Sequence, residues 1–314
     1  MAGFPASILV TGASGFVGRY LMARLAVTYP DARLIGAQFD VRDAADVNAV
    51  VQSVQPDVCV HLAAVSSVRS AQREQDQTWQ INLFGTLNLA NAILAHAPQC
   101  LMLFASSADA YGHSYRAGAA LTEDAPLAPM SVYAATKAAA DLALGSMVGQ
   151  GLRVIRLRPM NHTGPGQSPV FVVAAFAQQI ARISAHFQPP LMQVGNLDVW
   201  RDFLDVRDVC AAYLRCIDRS AQLVPGTILN LGSGQPRRIR DVLNELQRLA
   251  GVAVEVHVDP SRVRPDEVSL TRVDAARARE LLAWVPAIPW QQTLTDVLDD
   301  WRWRAAAAPN GPVE

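Results

Sequence analysis

Lysine is almost absent from this chain. Lys137 is the only lysine among 27 basic residues, and every other basic residue is arginine. Where arginine serves nearly everywhere, a retained lysine indicates a need for a compact ammonium rather than merely a positive charge. A lone lysine can also arise by chance, so the residues around Lys137 must show whether the ammonium has a role. The 28 acidic residues balance the basic ones to a net charge of −1, which favours neither a nucleic-acid partner nor an anionic membrane.

Cysteine and long apolar runs are also scarce. The four cysteines are Cys59, Cys100, Cys210 and Cys216. They form no CxxC and no paired spacing with histidine, so we expect buried free thiols in a reducing compartment, with no disulfide framework and no metal site. The longest apolar run, residues 170–177, is well short of the ~18 residues that span a bilayer. Because the first residues lack a basic signal-peptide region, we expect a cytoplasmic protein with no membrane partner.

The arrangement of apolar segments predicts an α/β fold. The chain has 314 residues, 51% hydrophobic and 18% charged, which fits one large unit or two packed lobes and excludes a disordered chain. Strands are predicted at 7–11, 33–37, 58–62, 101–105 and 154–157. Helices are predicted between them at 16–27, 44–54, 78–96 and 131–147. This alternation predicts a doubly wound parallel sheet covered on both faces.

The pattern changes after residue 160. The Gly/Pro-rich stretch 159–167 is predicted to form no regular element, and an apolar helix follows at 170–183. We expect residues 1–160 to form the first domain and residues 161–304 a smaller α/β lobe that binds substrate. A helix at about 206–219, within a segment 203–220, is expected to pack back on the first domain. Residues 305–314 are expected to be a disordered tail.

A glycine turn joins the first predicted strand to the first helix. Residues 12–18 read GASGFVG, with glycines at positions 12, 15 and 18. Gly12 permits a tight turn, Gly15 lets the backbone approach a pyrophosphate, and Gly18 lets the helix pack closely on its strand. Strand, turn and helix together predict a dinucleotide-binding Rossmann domain, and a purely structural turn is the alternative.

An acidic residue after the second strand holds the adenosine ribose in such domains. Asp40 is the first acid there, and it is placed to meet either the ribose or the adenine edge. No arginine directly follows the strand to bind a 2′-phosphate, so both NADP(H) and NAD(H) stay open.

Tyr133 and Lys137 stand one helical turn apart on an alanine-rich predicted helix. A free phenol has a pKa of about 10, and a nearby cation is expected to lower that pKa toward the working range. An ordinary pair on a helix surface is the alternative. Ser107 follows the strand 101–105 at its carboxyl end, where ligands bind in open α/β sheets. We expect Ser107 to hydrogen-bond a reacting carbonyl or alcohol, and Asp109 to contact substrate or cap the turn.

These motifs together resemble the extended short-chain dehydrogenase/reductase superfamily, also called the NAD-dependent epimerase/dehydratase family. Besides the glycine loop, the serine turn and the Tyr–Lys pair, the resemblance rests on HLAA at 61–64, Asn82 before GTLN at 85–88 and RPMNHTGPGQ at 158–167. It continues through VGNLD at 194–198, WRDFLDVRD at 200–208 and RVRPDE at 262–267. The combination is most similar to bacterial GDP-4-dehydro-6-deoxy-D-mannose reductases. Met160 stands where phenylalanine is usual.

The resemblance implies NADP(H) or NAD(H) as cofactor, a GDP-linked nucleotide sugar as substrate, and a homodimer through a four-helix contact of residues 78–96 and 131–147. The implied catalytic residues are Ser107, Tyr133 and Lys137. The implied cofactor-binding residues are Gly12, Ser14, Gly15, Phe16, Val17, Gly18, Asp40, Val41, Leu62, Ala63, Ala64, Asn82, Ala105, Tyr133, Lys137, Pro159 and His162. The implied substrate-binding residues are Ser107, Asp109, Asn161, Val172, Arg201, Arg264 and Glu267.

The chemistry of the second lobe agrees with that implication. The guanidinium groups of Arg201 and Arg264 are suited to binding a diphosphate bidentately, although surface solvation explains either arginine alone. The helix predicted at 170–183 either forms an apolar wall against the base of the nucleotide sugar or belongs only to the hydrophobic core.

Three reactions share this scaffold. Dehydratases carry an acid pair after the catalytic serine or threonine, whereas here Ala108 and Asp109 provide half of that pair. Reduction needs only hydride delivery, a proton donor and carbonyl polarisation. We therefore expect reduction of the 4-keto group of GDP-4-dehydro-6-deoxy-D-mannose to give GDP-D-rhamnose. A nucleotide-sugar 4-epimerase and a dinucleotide-binding regulatory protein are the alternatives, and the complete Ser/Tyr/Lys set argues against the regulatory protein.

Overall fold

The computed structural model describes residues 5–263 and 266–307. The strands, in chain order, are β1 (Ser7–Thr11), β2 (Arg33–Gly36), β3 (Val58–His61), β4 (Leu101–Ala105), β5 (Arg153–Pro159), β6 (Asn161–Thr163), β7 (Leu191–Val194), β8 (Trp200–Arg201), β9 (Phe203–Asp205), β10 (Ile228–Leu231), β11 (Arg237–Arg238) and β12 (Glu255–Val258). The α-helices are α1 (Phe16–Thr28), α2 (Ala44–Val54), α3 (Val68–Arg73), α4 (Gln75–Trp79), α5 (Thr86–His96), α6 (Val132–Met147), α7 (Val172–Ser184), α8 (Val206–Asp218), α9 (Ile239–Ala250), α10 (Ala276–Leu282) and α11 (Trp290–Ala307).

A parallel sheet with helices on both faces forms the first part of the fold, as the alternating pattern predicted. Within the described residues it has six strands in the order β10-β5-β4-β3-β1-β2. The four residues of β3 are all buried, and so are the first four of β4, because these central strands have packed neighbours on both faces. Helices α1 and α8 cover one face, and α2, α5 and α6 cover the other.

The second part of the fold has its own apolar core. Helices α7, α9 and α11 pack around buried residues that include Ile180, Leu243 and Leu298, together with β7 and β12. Helix α8 lies against α1 and buries Val209 and Tyr213 in the first core. No helix in the described ranges is long and apolar enough to cross a bilayer.

Four features differ from the sequence expectation. The stretch 159–167 contains a short regular element after all, because β6 pairs in parallel with β9, with Asn161 opposite Phe203. Strand β10 completes the sheet from a distant part of the chain. The single helix expected at 78–96 is divided by a π-helical turn, Gln80–Gly85. Residues 305–307 continue α11 rather than fraying, and the rest of the expected tail lies outside the described residues.

Candidate active site

The glycine turn after β1 packs closely against the residues that follow β3. Gly12 has φ of +69°, and a Cβ there would lie 2.8 Å from the Ala63 nitrogen. A Cβ on Gly18 would lie only 2.2 Å from the Gly12 carbonyl oxygen. Helix α1 begins directly after Gly15, with no acidic residue in its first turn. This backbone cradle fits the pyrophosphate of a dinucleotide, because its glycines lie at a helix N-terminus whose first amide groups are free to bind an anion.

A buried hydrogen-bond chain supports the turn from below. Thr86 donates its hydroxyl proton to the Asn82 carbonyl oxygen at 2.7 Å, so the Thr86 oxygen accepts from Nε2 of His61 at 2.9 Å. Nδ1 of His61 then accepts from the Thr11 hydroxyl at 2.6 Å. Burial, assisted by the Lys137 charge, lowers the pKa of His61 to about 3. The imidazole is therefore a neutral spacer between β1 and α5.

The Asn82 side chain makes hydrogen bonds to neighbouring groups of the protein. Its Oδ1 accepts from the Val65 amide at 2.8 Å, and its Nδ2 donates to the Val65 carbonyl at 3.1 Å. The same amide donates to the Thr136 hydroxyl of α6 at 3.0 Å. Both amide hydrogens are thus used. The Asn82 side chain therefore ties the loop after β3 to α6.

The acid after the second strand is already paired. Arg42 binds both carboxylate oxygens of Asp40, at 2.5 Å in the shortest contact. The Arg42 side-chain hydrogen bond holds the pKa of Asp40 below its usual range. Val41 is buried beneath the π-helical turn, because a Cβ on Gly85 would lie 2.6 Å from the Val41 side chain. Asp40 therefore presents an ion pair, not a bare carboxylate, at this rim.

Ser107 and Tyr133 meet at the carboxyl end of β4. The Ser107 Oγ accepts the Asp109 amide at 3.1 Å, which leaves the Ser107 hydroxyl proton to be donated. Tyr133 lies in the first turn of α6, which Ser131 caps through the Ala134 amide, and its hydroxyl interacts with the Ser107 side chain. A polar pair of this kind places two donors beside the position of a reacting oxygen.

The expected pKa direction for Tyr133 is wrong for this structure. Burial, reinforced by the Asp109 charge, raises the pKa of Tyr133 above its ordinary value of 10.0, and the Ser107 hydrogen bond only partly offsets that rise. Burial wins because a phenolate loses more solvation there than its neighbours restore. Tyr133 is therefore a neutral phenol at neutral pH.

Lys137 lies one turn further along α6 and is almost completely buried. Its Nζ donates to the Ala105 carbonyl oxygen at 2.6 Å and lies 5.1 Å from the centre of the Phe104 ring. Burial lowers the pKa of Lys137 to about 8, against the opposing influence of the Asp141 carboxylate. The only lysine of the chain thus lies within the Ser–Tyr constellation rather than on a helix surface.

A histidine connects the second half of the chain to the glycine turn. His162 follows β5, which ends at Pro159, and its ring stacks on that of Phe16 at 6.4 Å with an interplanar angle of 6°. Nδ1 of His162 lies 3.1 Å from the Met160 carbonyl oxygen, so this nitrogen carries the hydrogen. Burial lowers the pKa of His162. The neutral ring places β6 against the start of α1.

The structure brings two predicted substrate residues together. Arg201 donates to the Glu267 carboxylate at 2.8 Å and to the Val268 carbonyl at 2.9 Å, with both side chains of the ion pair mostly buried. Tyr115, whose pKa burial raises, interacts electrostatically with Asp109 and with Arg201. The charges of Arg201 and of Asp109 in the serine turn therefore both act on Tyr115. The other predicted arginine, Arg264, lies outside the described residues.

Helix α7 belongs mainly to the core of its lobe. Its buried face includes Val173, Phe176 and Ile180, whereas Val172 at its first position is partly buried. Most of α7 therefore follows the core alternative given for residues 170–183. Asn161, in β6, is partly buried as well. No group of three or more His, Cys, Asp or Glu side chains able to hold a metal occurs in residues 5–263 and 266–307.

Sequence reasoning missed several residues that shape this site. Arg42 and Thr136 were not singled out, although each hydrogen-bonds to a residue that was. Tyr115 was not singled out either, although it interacts electrostatically with Asp109 and Arg201. The contact of Arg42 with Asp40 could have been predicted, because an Asp side chain commonly accepts a hydrogen bond from the backbone amide two residues later. Thr136 carried no comparable signal, because its partner Asn82 is 54 residues away in the chain.

Comparison with known proteins agrees with this geometry. Residues 8–232 match the model of the NAD dependent epimerase/dehydratase family. The GDP-6-deoxy-D-mannose reductase of Pseudomonas aeruginosa is 38% identical over 95% of this chain and 97% of its own length. A solved structure of RMD from Pseudomonas aeruginosa complexed with NADPH superposes with a TM-score of 0.87 at 36% identity, covering 95% of this chain and 99% of the other. A UDP-glucose 4-epimerase of Streptomyces lividans is 26% identical over 95% of this chain and 96% of its own. The chain belongs to the NAD dependent epimerase/dehydratase family.

Proposed function

We propose that this protein reduces the 4-keto group of GDP-4-dehydro-6-deoxy-D-mannose to give GDP-D-rhamnose, with NADPH or NADH as reductant. The observation that carries the proposal is the pairing of Tyr133 with Ser107 beside Lys137, at the carboxyl end of the central strands. The 38% identity to a GDP-6-deoxy-D-mannose reductase supports the choice of substrate. Half of the acid pair used by dehydratases is missing at Ala108, which supports reduction over dehydration.

The cofactor contributes hydride chemistry, and the residues of this chain contribute the proton and the positioning. A bound reduced nicotinamide supplies a hydride for the ketone carbon. Tyr133 donates its proton to the ketone oxygen, so that hydride and proton together convert the carbonyl to a hydroxyl. The Ser107 hydroxyl donates a hydrogen bond to the same oxygen, where negative charge develops. The raised pKa of Tyr133 keeps the phenol protonated and ready to donate.

The remaining site residues bind the two ligands. Gly12, Gly15 and Gly18 form the pyrophosphate cradle, and Lys137 uses the donors left over from its Ala105 bond to hold the cofactor ribose. In the second lobe, the Arg201 guanidinium binds the diphosphate of the sugar nucleotide. Glu267 holds that guanidinium in place through their ion pair. We infer that residues 1–160 bind the dinucleotide and residues 161–304 the nucleotide sugar.

The proposal includes a homodimer and a cytoplasmic location. The helical stretches expected to meet in the dimer present exposed apolar side chains, Phe84 at 47% and Leu142 at 60% exposure. Burial of such a patch against a second copy is a common reason for large apolar groups to lie on a surface. Four buried unpaired thiols fit a reducing compartment.

The test is turnover with the purified protein. Incubation with GDP-4-dehydro-6-deoxy-D-mannose and NADPH is expected to consume reductant in equal molar amount to the product, identified as GDP-D-rhamnose by mass spectrometry and NMR. A 4-epimerase would consume no net reductant, and a regulatory binder would yield no product. Folded protein that leaves both reductant and keto sugar unchanged contradicts the proposal.

A further inference from the structure

Asp141 extends the line of catalytic residues along α6. Tyr133, Lys137 and Asp141 are spaced four residues apart, so the three side chains lie on one face of the helix. Asp141 is completely buried. A buried carboxylate is costly unless it is paired, so the structure must compensate it.

Two arginines of β5 supply that compensation. Arg158 donates through Nε and NH2 to the two carboxylate oxygens of Asp141, at 3.0 Å and 2.8 Å. Arg156 donates to one of them at 3.1 Å and also to the Asp141 carbonyl. Gly145 provides the space for the Arg156 guanidinium, because a Cβ at this position would lie only 2.6 Å from it. The carboxylate is therefore fixed in direction, one turn behind the lysine.

We propose that Asp141 is a positioning residue that keeps the buried Lys137 ammonium protonated, while Arg156 and Arg158 hold the carboxylate and limit its effect. The effect of Asp141 on the charge of Lys137 does not depend on the proposed function. Only its consequence for the enzyme rests on that function, because a neutral Lys137 would hold the cofactor ribose less well. A purely structural ion pair between α6 and β5 is the competing explanation. That explanation predicts loss of stability but no change in the protonation of the lysine.

The other groups around Lys137 do not supply the same anionic charge. His61 of β3 is neutral, and its own pKa is depressed in part by Lys137. Tyr133 on α6 is a neutral phenol, because burial raises its pKa. Asp109, in the turn after β4, acts on Tyr133. Asp141 opposes the effect of burial on the pKa of Lys137.

The composition of the chain makes a direct test practical. Because Lys137 is the only lysine, protein grown with lysine labelled with ¹³C at Cε gives one side-chain signal, whose shift titrates with the ammonium. In the cofactor-free full chain, this signal reports the charge of Lys137 without any turnover. We expect the wild-type titration of this signal to have its midpoint at pH about 8, the pKa to which burial lowers Lys137.

Two substitutions shift the midpoint in opposite directions. Asp141→Asn is expected to lower it by about one pH unit or more, since an adjacent opposite charge shifts a pKa by roughly 1–3 units. Arg156→Gln removes a cation that counteracts Asp141 and is expected to raise it. Asp218→Asn, at the end of α8 with Tyr29 as its partner, is the matched control and is expected to leave the midpoint unchanged.

The outcomes separate the proposal from its competitor. A midpoint that Asp141→Asn leaves at the wild-type value overturns the proposal and leaves Asp141 as a structural ion pair. If Asp141→Asn fails to fold, Arg156→Gln decides, and an unchanged or lowered midpoint in that variant overturns the proposal. The titration needs no sugar nucleotide, so failure of the GDP-sugar turnover assay would leave its outcome unaffected.

Discussion

The ammonium of Lys137 donates a 2.6 Å hydrogen bond to the carbonyl oxygen of Ala105. This bond ties α6 to the last residue of β4, and Ser107 follows two positions later. The lysine, the tyrosine and the serine are thus held by one strand end and one helix face. A compact terminal charge suits this buried position, which gives a physical reason for retaining a lysine here.

Cofactor affinity is expected to depend on pH through Lys137. Burial lowers the pKa of this lysine to about 8, so the charged form that binds the cofactor is present below that pH. The affinity should therefore be constant at lower pH, fall as the pH rises through about 8, and level off once Lys137 is neutral. Fluorescence titration of NADPH at a series of pH values measures this profile.

The control for that profile is Lys137→Arg, which stays charged because a guanidinium has a pKa above ~12. Its absolute affinity should be weaker, since the larger group does not fit, but its profile should be flat near pH 8. A wild-type affinity that is unchanged to pH 10 would assign the binding charge to another group.

Tyr133→Phe is expected to abolish most of the turnover while the protein stays folded. The substitution removes the proton donor, and loss of a general acid typically costs about 10²–10⁴-fold in rate. The KM for the sugar nucleotide should change far less than kcat, because the phenol acts on the reacting oxygen. Steady-state kinetics with circular dichroism as a folding check measures both effects.

Tyr29→Phe provides the matched control, since Tyr29 bonds Asp218 on the far side of the first core. Its turnover should equal that of the wild type. Retention of more than half of the activity in Tyr133→Phe would remove the phenol from the mechanism.

Gly18→Ala is expected to disrupt the cofactor cradle. A Cβ at this position would lie 2.2 Å from the Gly12 carbonyl and 2.6 Å from the Ala13 carbonyl, and neither backbone oxygen yields without moving the turn. Both the melting temperature and the NADPH affinity should fall, by calorimetry and fluorescence titration respectively. Gly149→Ala is the control, because a Cβ on this exposed glycine meets nothing within 4 Å. Equal effects of the two substitutions would contradict the predicted role of Gly18.

Arg201→Met is expected to weaken binding of the sugar nucleotide. Hydrogen bonds to charged groups contribute about 1.5–3 kcal/mol, so the KM should rise by about tenfold or more, with little change in NADPH affinity. Arg248→Met, which breaks an exposed ion pair with Glu245, should leave both values unchanged. An unchanged KM in Arg201→Met would place the diphosphate elsewhere.

Much of the sheet and its glycine turn could be predicted from the sequence. The bounds expected for β1 and β4 agree with the structure, because short β-branched and apolar runs with a clear turn after them are local signals. The segments that were missed depend on distant partners. β10 joins the sheet beside β5, which ends about 70 residues earlier, and β6 forms only because β9 lies beside it.

The proximity of the candidate site residues was predictable from the sequence, but their interactions were not. The Tyr–Lys spacing and the serine after β4 could be predicted from the sequence, since helix periodicity and strand ends fix them. The direction of the Tyr133 pKa could not, because it depends on burial by the whole fold. The engagement of Asn82 with Val65 and Thr136 also required the fold.

The most direct test of the account follows deuterium from the cofactor to the sugar. NADPH labelled with deuterium at the transferable position of the nicotinamide is supplied with GDP-4-dehydro-6-deoxy-D-mannose, and the product is examined by NMR and mass spectrometry. The account predicts GDP-D-rhamnose with one deuterium, bonded to C4 of the hexose. Conversion of the sugar without deuterium at C4, or label that never leaves the nicotinamide, would contradict it.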